Sequence, residues 1–88
     1  MAEQLFEKTV KGTPIVVQSE TASNISGEGT PFTVDETGLY FIEADGLENA
    51  DIRNNTADVT VQNQVQAESG DELQAQVGKI SYQIYRLR

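Results

Sequence analysis

Residues 71–84 read Asp-Glu-Leu-Gln-Ala-Gln-Val-Gly-Lys-Ile-Ser-Tyr-Gln-Ile, polar and apolar side chains alternating almost without a slip. A period of two puts one set of side chains on each face of an extended chain, so this stretch predicts β-strands with one face buried and one wet. The same grammar governs Phe32-Thr33-Val34, Leu39 to Ala44 and residues 57–62. No apolar spacing of i, i+3, i+4 runs for more than one turn, which excludes a helical domain.

Turn residues cut the chain into short pieces. Residues 5–10 and 15–18 predict two strands around the turn Lys11-Gly12-Thr13-Pro14, with Pro14 at a strand start or edge, where its missing N–H removes no ladder bond. Residues 19–31, rich in Ser, Thr, Gly and Asn, predict a loop or a weak edge strand at 22–25. Residues 39–42 are all apolar, as expected of a strand covered on both faces. Brief strands follow at 50–53, around Val59 and Val61, and around Val65 and Ala67; Leu73, Ala75 and Val77 line the next, and Ile80, Tyr82 and Ile84 the last. Gly78-Lys79 predicts a hairpin between these two. The expectation is an all-β chain, a single domain over 1–88, with about seven to nine short, mainly antiparallel strands in a sandwich or a truncated jelly roll.

The final strand contains a phase conflict. If Ile80, Tyr82 and Ile84 face the core, Tyr85 and Leu87 fall on the opposite face. Either a bulge at Ile84-Tyr85 hides them, or Tyr85, Arg86, Leu87 and Arg88 present an aromatic and basic patch to a partner.

A chain of 88 residues hides only about 60–65% of its unfolded surface on folding. Cysteine is absent, which excludes disulfides and thiolate metal sites and leaves good packing, an oxygen-ligand metal or self-association as sources of extra stability. Neither a ~20-residue apolar span nor an export signal is legible, so a protein used without export is expected. Asn24-Ile25-Ser26 and Asn54-Asn55-Thr56 match the glycosylation sequon and in that setting read as loop residues.

The net charge of −8 is uneven: residues 35–72 carry ten acids against one arginine, while residues 73–88 carry three cations and no acid. Lys79, Arg86 and Arg88 are too few to track a phosphate backbone, so no nucleic acid is expected as a partner. Histidine is absent as well as cysteine, removing the commonest general base near neutral pH and the thiolate nucleophile. The acid pairs Asp35/Glu36 and Asp71/Glu72 are sequence neighbours, which a strand points to opposite faces. No enzyme activity and no cofactor are expected. The densest run of oxygen donors, with Asp45, Glu48 and Asp51 as candidate Ca²⁺ ligands, lacks the spacing of a regular calcium loop and reads as a hydrated acidic loop.

Phe32-Thr33-Val34, a short turn, and Gly38-Leu39-Tyr40-Phe41-Ile42 resemble the "F-x-V … G-x-Y-x-(F/I/V)" pattern of the C1q and tumour-necrosis-factor-like jelly rolls. Gly70-Asp71-Glu72-Leu73-Gln74-Ala75 and Ile80-Ser81-Tyr82-Gln83-Ile84 are similar to the later segments of that family. The resemblance covers residues 31–88 and implies a truncated jelly roll that trimerises about a threefold axis. In size, acidity and lack of cysteine the chain also resembles the capsid decoration or cement proteins of tailed bacteriophages. That likeness implies a non-enzymatic virion protein, made in the host cytoplasm, that binds copies of itself and a larger shell such as a major capsid protein. The expected contacts are Leu5 and Phe6, in a possible arm over 1–10, with Tyr85, Arg86, Leu87 and Arg88. The alternative is a carbohydrate- or receptor-binding module of a tail or fibre, with or without calcium.

Overall fold

The structure, a computed structural model, describes residues 13–87. The strand expected at 5–10, the arm with Leu5 and Phe6, and Arg88 lie outside the described residues. Eight strands are described: β1 (Pro14–Glu20), β2 (Phe32–Thr33), β3 (Gly38–Ala44), β4 (Asp51–Asn54), β5 (Val59–Gln62), β6 (Gln64–Ala67), β7 (Glu72–Gln76) and β8 (Tyr82–Leu87).

They form two four-stranded antiparallel sheets, sheet A in the order β1-β8-β3-β6 and sheet B in the order β2-β7-β4-β5. The pairing β1·β8, β2·β7, β3·β6 and β4·β5 is that of one long hairpin, first strand with last and fourth with fifth. Rolling this hairpin up brings β8 against β3 and β7 against β4. This strand order is the wiring of an eight-stranded jelly roll, and the expected all-β fold of about seven to nine short, antiparallel strands is what the described residues form. The strands and connections are short, and none of the eight is missing.

Two local expectations change with it. Gly78-Lys79 does not close a hairpin, because β7 and β8 lie in different sheets and residues 77–81 cross between them. Residues 22–24 form a single 3₁₀ turn rather than an edge strand, and it delivers Ile25 into the core. Val59 and Val61 belong to one strand and Val65 and Ala67 to the next, as their spacing predicts. Only Asn63 separates them, at a φ of 72° that asparagine tolerates better than most residues.

The inner faces bury Tyr40, Ile42, Val65, Tyr82 and Ile84 from sheet A against Ile52, Leu73 and Ala75 from sheet B, with Ile25, Val34 and Ala50 closing the ends. The alternation seen in residues 71–84 is thus realised in two sheets. Leu73 and Ala75 supply one wall of the core, and Tyr82 and Ile84 the other.

Candidate functional site

The phase conflict in the last strand resolves without a bulge at Ile84-Tyr85. β8 pairs with β3 in unbroken register from Tyr82↔Ala44 to Arg86↔Tyr40. The irregularity lies in β1, where the register shifts between Val16 and Gln18 and Val17 is the extra residue. Tyr85 therefore points to the outer face of sheet A, opposite Tyr82 and Ile84. Its ring stacks on Phe41 (centroids 5.9 Å apart, planes at 20°), its hydroxyl donates to Glu43 (3.1 Å), and both rings are buried. Burial, with Glu43 beside it, raises the Tyr85 pKa well above the usual phenol value.

The register places a neutral row across this face. Val16, Tyr85, Phe41 and Gln64 are successive cross-strand partners. One row along, Pro14 pairs with Leu87 and Leu39 with Gln66. Val16 is 52% exposed and Leu39 37%, so apolar surface flanks the buried rings. Among the described residues, Glu43 is the one charged side chain that these strands direct to this face.

The outer face of sheet B has the opposite character. Leu73, Ala75 and Ile52 point inward, which turns Glu72, Gln74, Gln76, Asp51, Arg53, Thr60 and Gln62 to water. Arg53 pairs with Asp58 and donates to Thr60 (3.2 Å). One outer face of the roll is thus apolar and nearly neutral, and the other is polar and charged.

The remaining expected contact residues separate. Leu87 is half-buried on the outer face of sheet A. Arg86 points the other way, into the sandwich, in register with Ile15 and Tyr40. It lines an open cleft of about 310 Å³ with Val17, Phe32 and Glu36 and is ion-paired to Glu36 at 3.3 Å. The expected aromatic and basic patch is therefore not one surface: alternation sends Tyr85 and Leu87 outward and Arg86 inward.

Asp45 and Glu48 line a second open cleft of about 320 Å³ with Glu43 and Leu47. Among the described residues no group of three or more acidic side chains converges as a metal site, so Asp45, Glu48 and Asp51 are not brought together. No helix among them is long and apolar enough to cross a membrane.

Two carboxylates act instead as internal clasps. Glu20 accepts from the Thr30 N–H and hydroxyl, each at 2.7 Å, and from the Tyr82 hydroxyl, and these bonds, the Thr30 N–H foremost, hold its pKa below the ordinary carboxylate value. Asp71 accepts from Asn54 Nδ2 and from the Glu68 N–H, both at 2.9 Å, and is likewise lowered, mainly by Asn54.

Asn54 is the one buried polar residue among those described, 1% exposed. Its amide also donates to the Gln66 carbonyl (3.2 Å), and its Oδ1 accepts from the Ala57 N–H (3.0 Å). The sequon nitrogen is thus committed to internal bonds. Asn55 and Thr56 fasten to β7, Asn55 Nδ2 donating to Glu72 (2.7 Å) and Thr56 Oγ1 accepting from the Glu72 N–H (2.9 Å). Sequence reasoning missed Phe41 as the partner of Tyr85 and Asn54 as a structural hub. The first was signalled by the uninterrupted apolar run 39–42; the second shows no signal in the sequence beyond a turn composition.

Compared with known proteins, the chain matches no family model, no curated protein and no solved structure.

Proposed function

We propose that this chain is a non-enzymatic structural protein, a small jelly roll that assembles with copies of itself, as a homotrimer, and adheres to a larger protein shell in the manner of a virion decoration protein. The observation that carries the reading is the asymmetry of the two outer faces. A protein of net charge −8 repels its own copies, and only a surface with little charge lets them meet without that penalty. The outer face of sheet A offers this, with Val16, Leu39 and Leu87 around Phe41 and Tyr85. The outer face of sheet B, with Asp51, Glu72 and the Arg53–Asp58 pair, suits water and keeps assembled particles from clumping. Each apolar side chain fully buried at such a contact contributes about 1.5–3 kcal/mol, and threefold repetition multiplies the effect through avidity.

The test is solution mass by light scattering and sedimentation across dilution, with and without EDTA, for the native chain and for V16E/L39E. The native chain is expected to associate independently of chelator, and more strongly as salt screens the repulsion between copies; V16E/L39E is expected to lose the trimer. A native chain that stays monomeric at every concentration and salt level refutes the self-assembly, and a fold that weakens in EDTA favours the calcium-dependent binding module instead. Attachment is tested by co-sedimentation with assembled protein shells.

A further inference from the structure

We infer that β5 is a second self-association element, pairing antiparallel with β5 of another copy across a twofold axis. It closes one edge of sheet B, with β4 as its sole partner among the described residues. All four of its residues, Val-Thr-Val-Gln, are exposed and uncharged. Val59 and Val61 are opposite Asn54 and Ile52 and so share the inward phase of the sheet, yet they remain 40% and 38% exposed. They are core-phase side chains that the core does not cover.

The other edges carry devices that discourage pairing. β1 opens on Pro14 and bulges at Val17, and β2 is two residues long. On β6 the Gln66 carbonyl already accepts the Asn54 amide. β5 has no proline, charge or bulge, and is bounded by Asp58 and Asn63, whose φ values of 59° and 72° turn the chain out of the strand at each end.

Self-pairing fixes a register. A twofold axis perpendicular to the sheet keeps the faces aligned, so only registers centred on a residue continue the sheet. Centred on Thr60, Val59 lies opposite Val61 of the second copy, twice, and Asp58 lies opposite Gln62 rather than another carboxylate. Centred on Val61, each Val59 meets Asn63 in its left-handed conformation. The first register joins four valines on one face and makes a continuous eight-stranded sheet, β2-β7-β4-β5-β5-β4-β7-β2. This contact does not use the outer face of sheet A and stands or falls separately from it.

The chain has no cysteine, so T60C is a clean reporter. T60C is placed in the native chain and in V16E/L39E, and disulfide dimer is followed under mild oxidation over a concentration series, with circular dichroism as the folding control. Dimer is expected in both backgrounds. Adding V59K/V61K, which sets lysine against lysine while lowering the net negative charge, is expected to cut the yield at least tenfold. V59K/V61E, which sets lysine against glutamate in this register alone, is expected to restore it. T60C that stays monomeric in both backgrounds overturns the inference, as does a yield indifferent to the two charge patterns. Failure of the sheet A reading shows separately, as association that V16E/L39E does not reduce.

Discussion

Replacing Asn54 by alanine tests whether a hub of hydrogen bonds, rather than apolar area, holds the two ends of the roll together. Its amide and carbonyl join the β4–β5 turn at Ala57, the β6 edge at Gln66 and the 68–71 turn at Asp71. The Asp71 carboxylate remains in water when its partner is removed and is left out of the sum. The Ala57 N–H and the Gln66 carbonyl are partly buried, and each loses a bond worth about 1 kcal/mol net, rising to about 2 where water cannot replace it. N54A is therefore expected to cost about 2–4 kcal/mol, a large share of the roughly 5–10 kcal/mol that a domain of this size possesses. At about 4–8 °C per kcal/mol, the melting temperature should fall by roughly 15 °C at fixed protein concentration. N54D adds a control on mechanism: it keeps the acceptor for Ala57 but sets a second carboxylate beside Asp71, so its deficit should shrink on acidification while that of N54A does not. Urea unfolding and calorimetry read both. A loss below about 1 kcal/mol for N54A, or an N54D deficit that is flat with pH, would refute the reasoning.

Glycine 29 allows a close approach: a Cβ there would lie 2.8 Å from the Tyr82 hydroxyl and 2.9 Å from Ala75 Cβ. G29A should cost about 1–3 kcal/mol, while G27A, with nothing within 4 Å, should be neutral; equal Tm values for the two would sink this reading. Because the Thr30 N–H and the Tyr82 hydroxyl lower the Glu20 pKa from its ordinary 4.5, its contribution is present above that pH and lost as pH falls through the folded-state value. The stability advantage of the native chain over E20Q should accordingly shrink as the pH is taken below the ordinary 4.5, and a constant gap would contradict the clasp. Burial raises the phenol pKa of Tyr40, Tyr82 and Tyr85 alike, so the stability tied to their neutral forms persists below about pH 10 and is lost above it. Phenolate absorbance should rise only together with alkaline unfolding, and a reversible step near pH 10 in the folded protein would count against all three assignments.

Period-two alternation was enough to identify β7 and β8 because there it encodes burial directly. Leu73 and Ala75, or Tyr82 and Ile84, face inward whichever strands they pair with. Strand order is not encoded this way. Gly78-Lys79 has the composition of a hairpin turn, yet the 77–81 connection crosses between sheets, because β8 is held by β1 and β3 and β7 by β2 and β4. The β1 partners of β8 lie more than sixty residues away, as Glu20↔Tyr82 and Pro14↔Leu87 show, and no local pattern names them. The outer face of sheet A was half legible. The phase of Tyr85 and Leu87 followed from strict alternation, and so did the opposite phase of Arg86, but grouping the three by sequence proximity joined two surfaces that a strand keeps apart. A bulge in β8 was one of the two readings left open, and the bulge occurs in β1, where Val17 takes up the extra residue while β8 stays regular between two neighbours. An edge strand absorbs a bulge at lower cost than a central one, since only one ladder is disturbed.

The charge of the chain and the shape of the roll constrain assembly together. A copy bearing −8 must approach another through its least charged surfaces, and the jelly-roll wiring creates two of them at different places. The outer face of sheet A is nearly neutral because, among the described residues, β1, β8, β3 and β6 direct glutamine, valine, leucine and aromatic side chains there and Glu43 alone of the charged ones. The β5 edge is neutral because its strand residues carry no charge and the one acid of the flanking turns, Asp58, sits beyond its end. The proposed threefold contact through the first and the proposed twofold contact through the second are compatible in one particle, either as a closed assembly of six copies or as a sheet spread over a larger shell, depending on the angle between the axes. The acidic loop 45–51, with Asp45 and Glu48 around its open cleft, belongs to neither proposed contact and stays in water in both arrangements. In the proposed assembly, acidity limits where copies can touch, and the two surfaces of lowest charge then decide the symmetry with which they do.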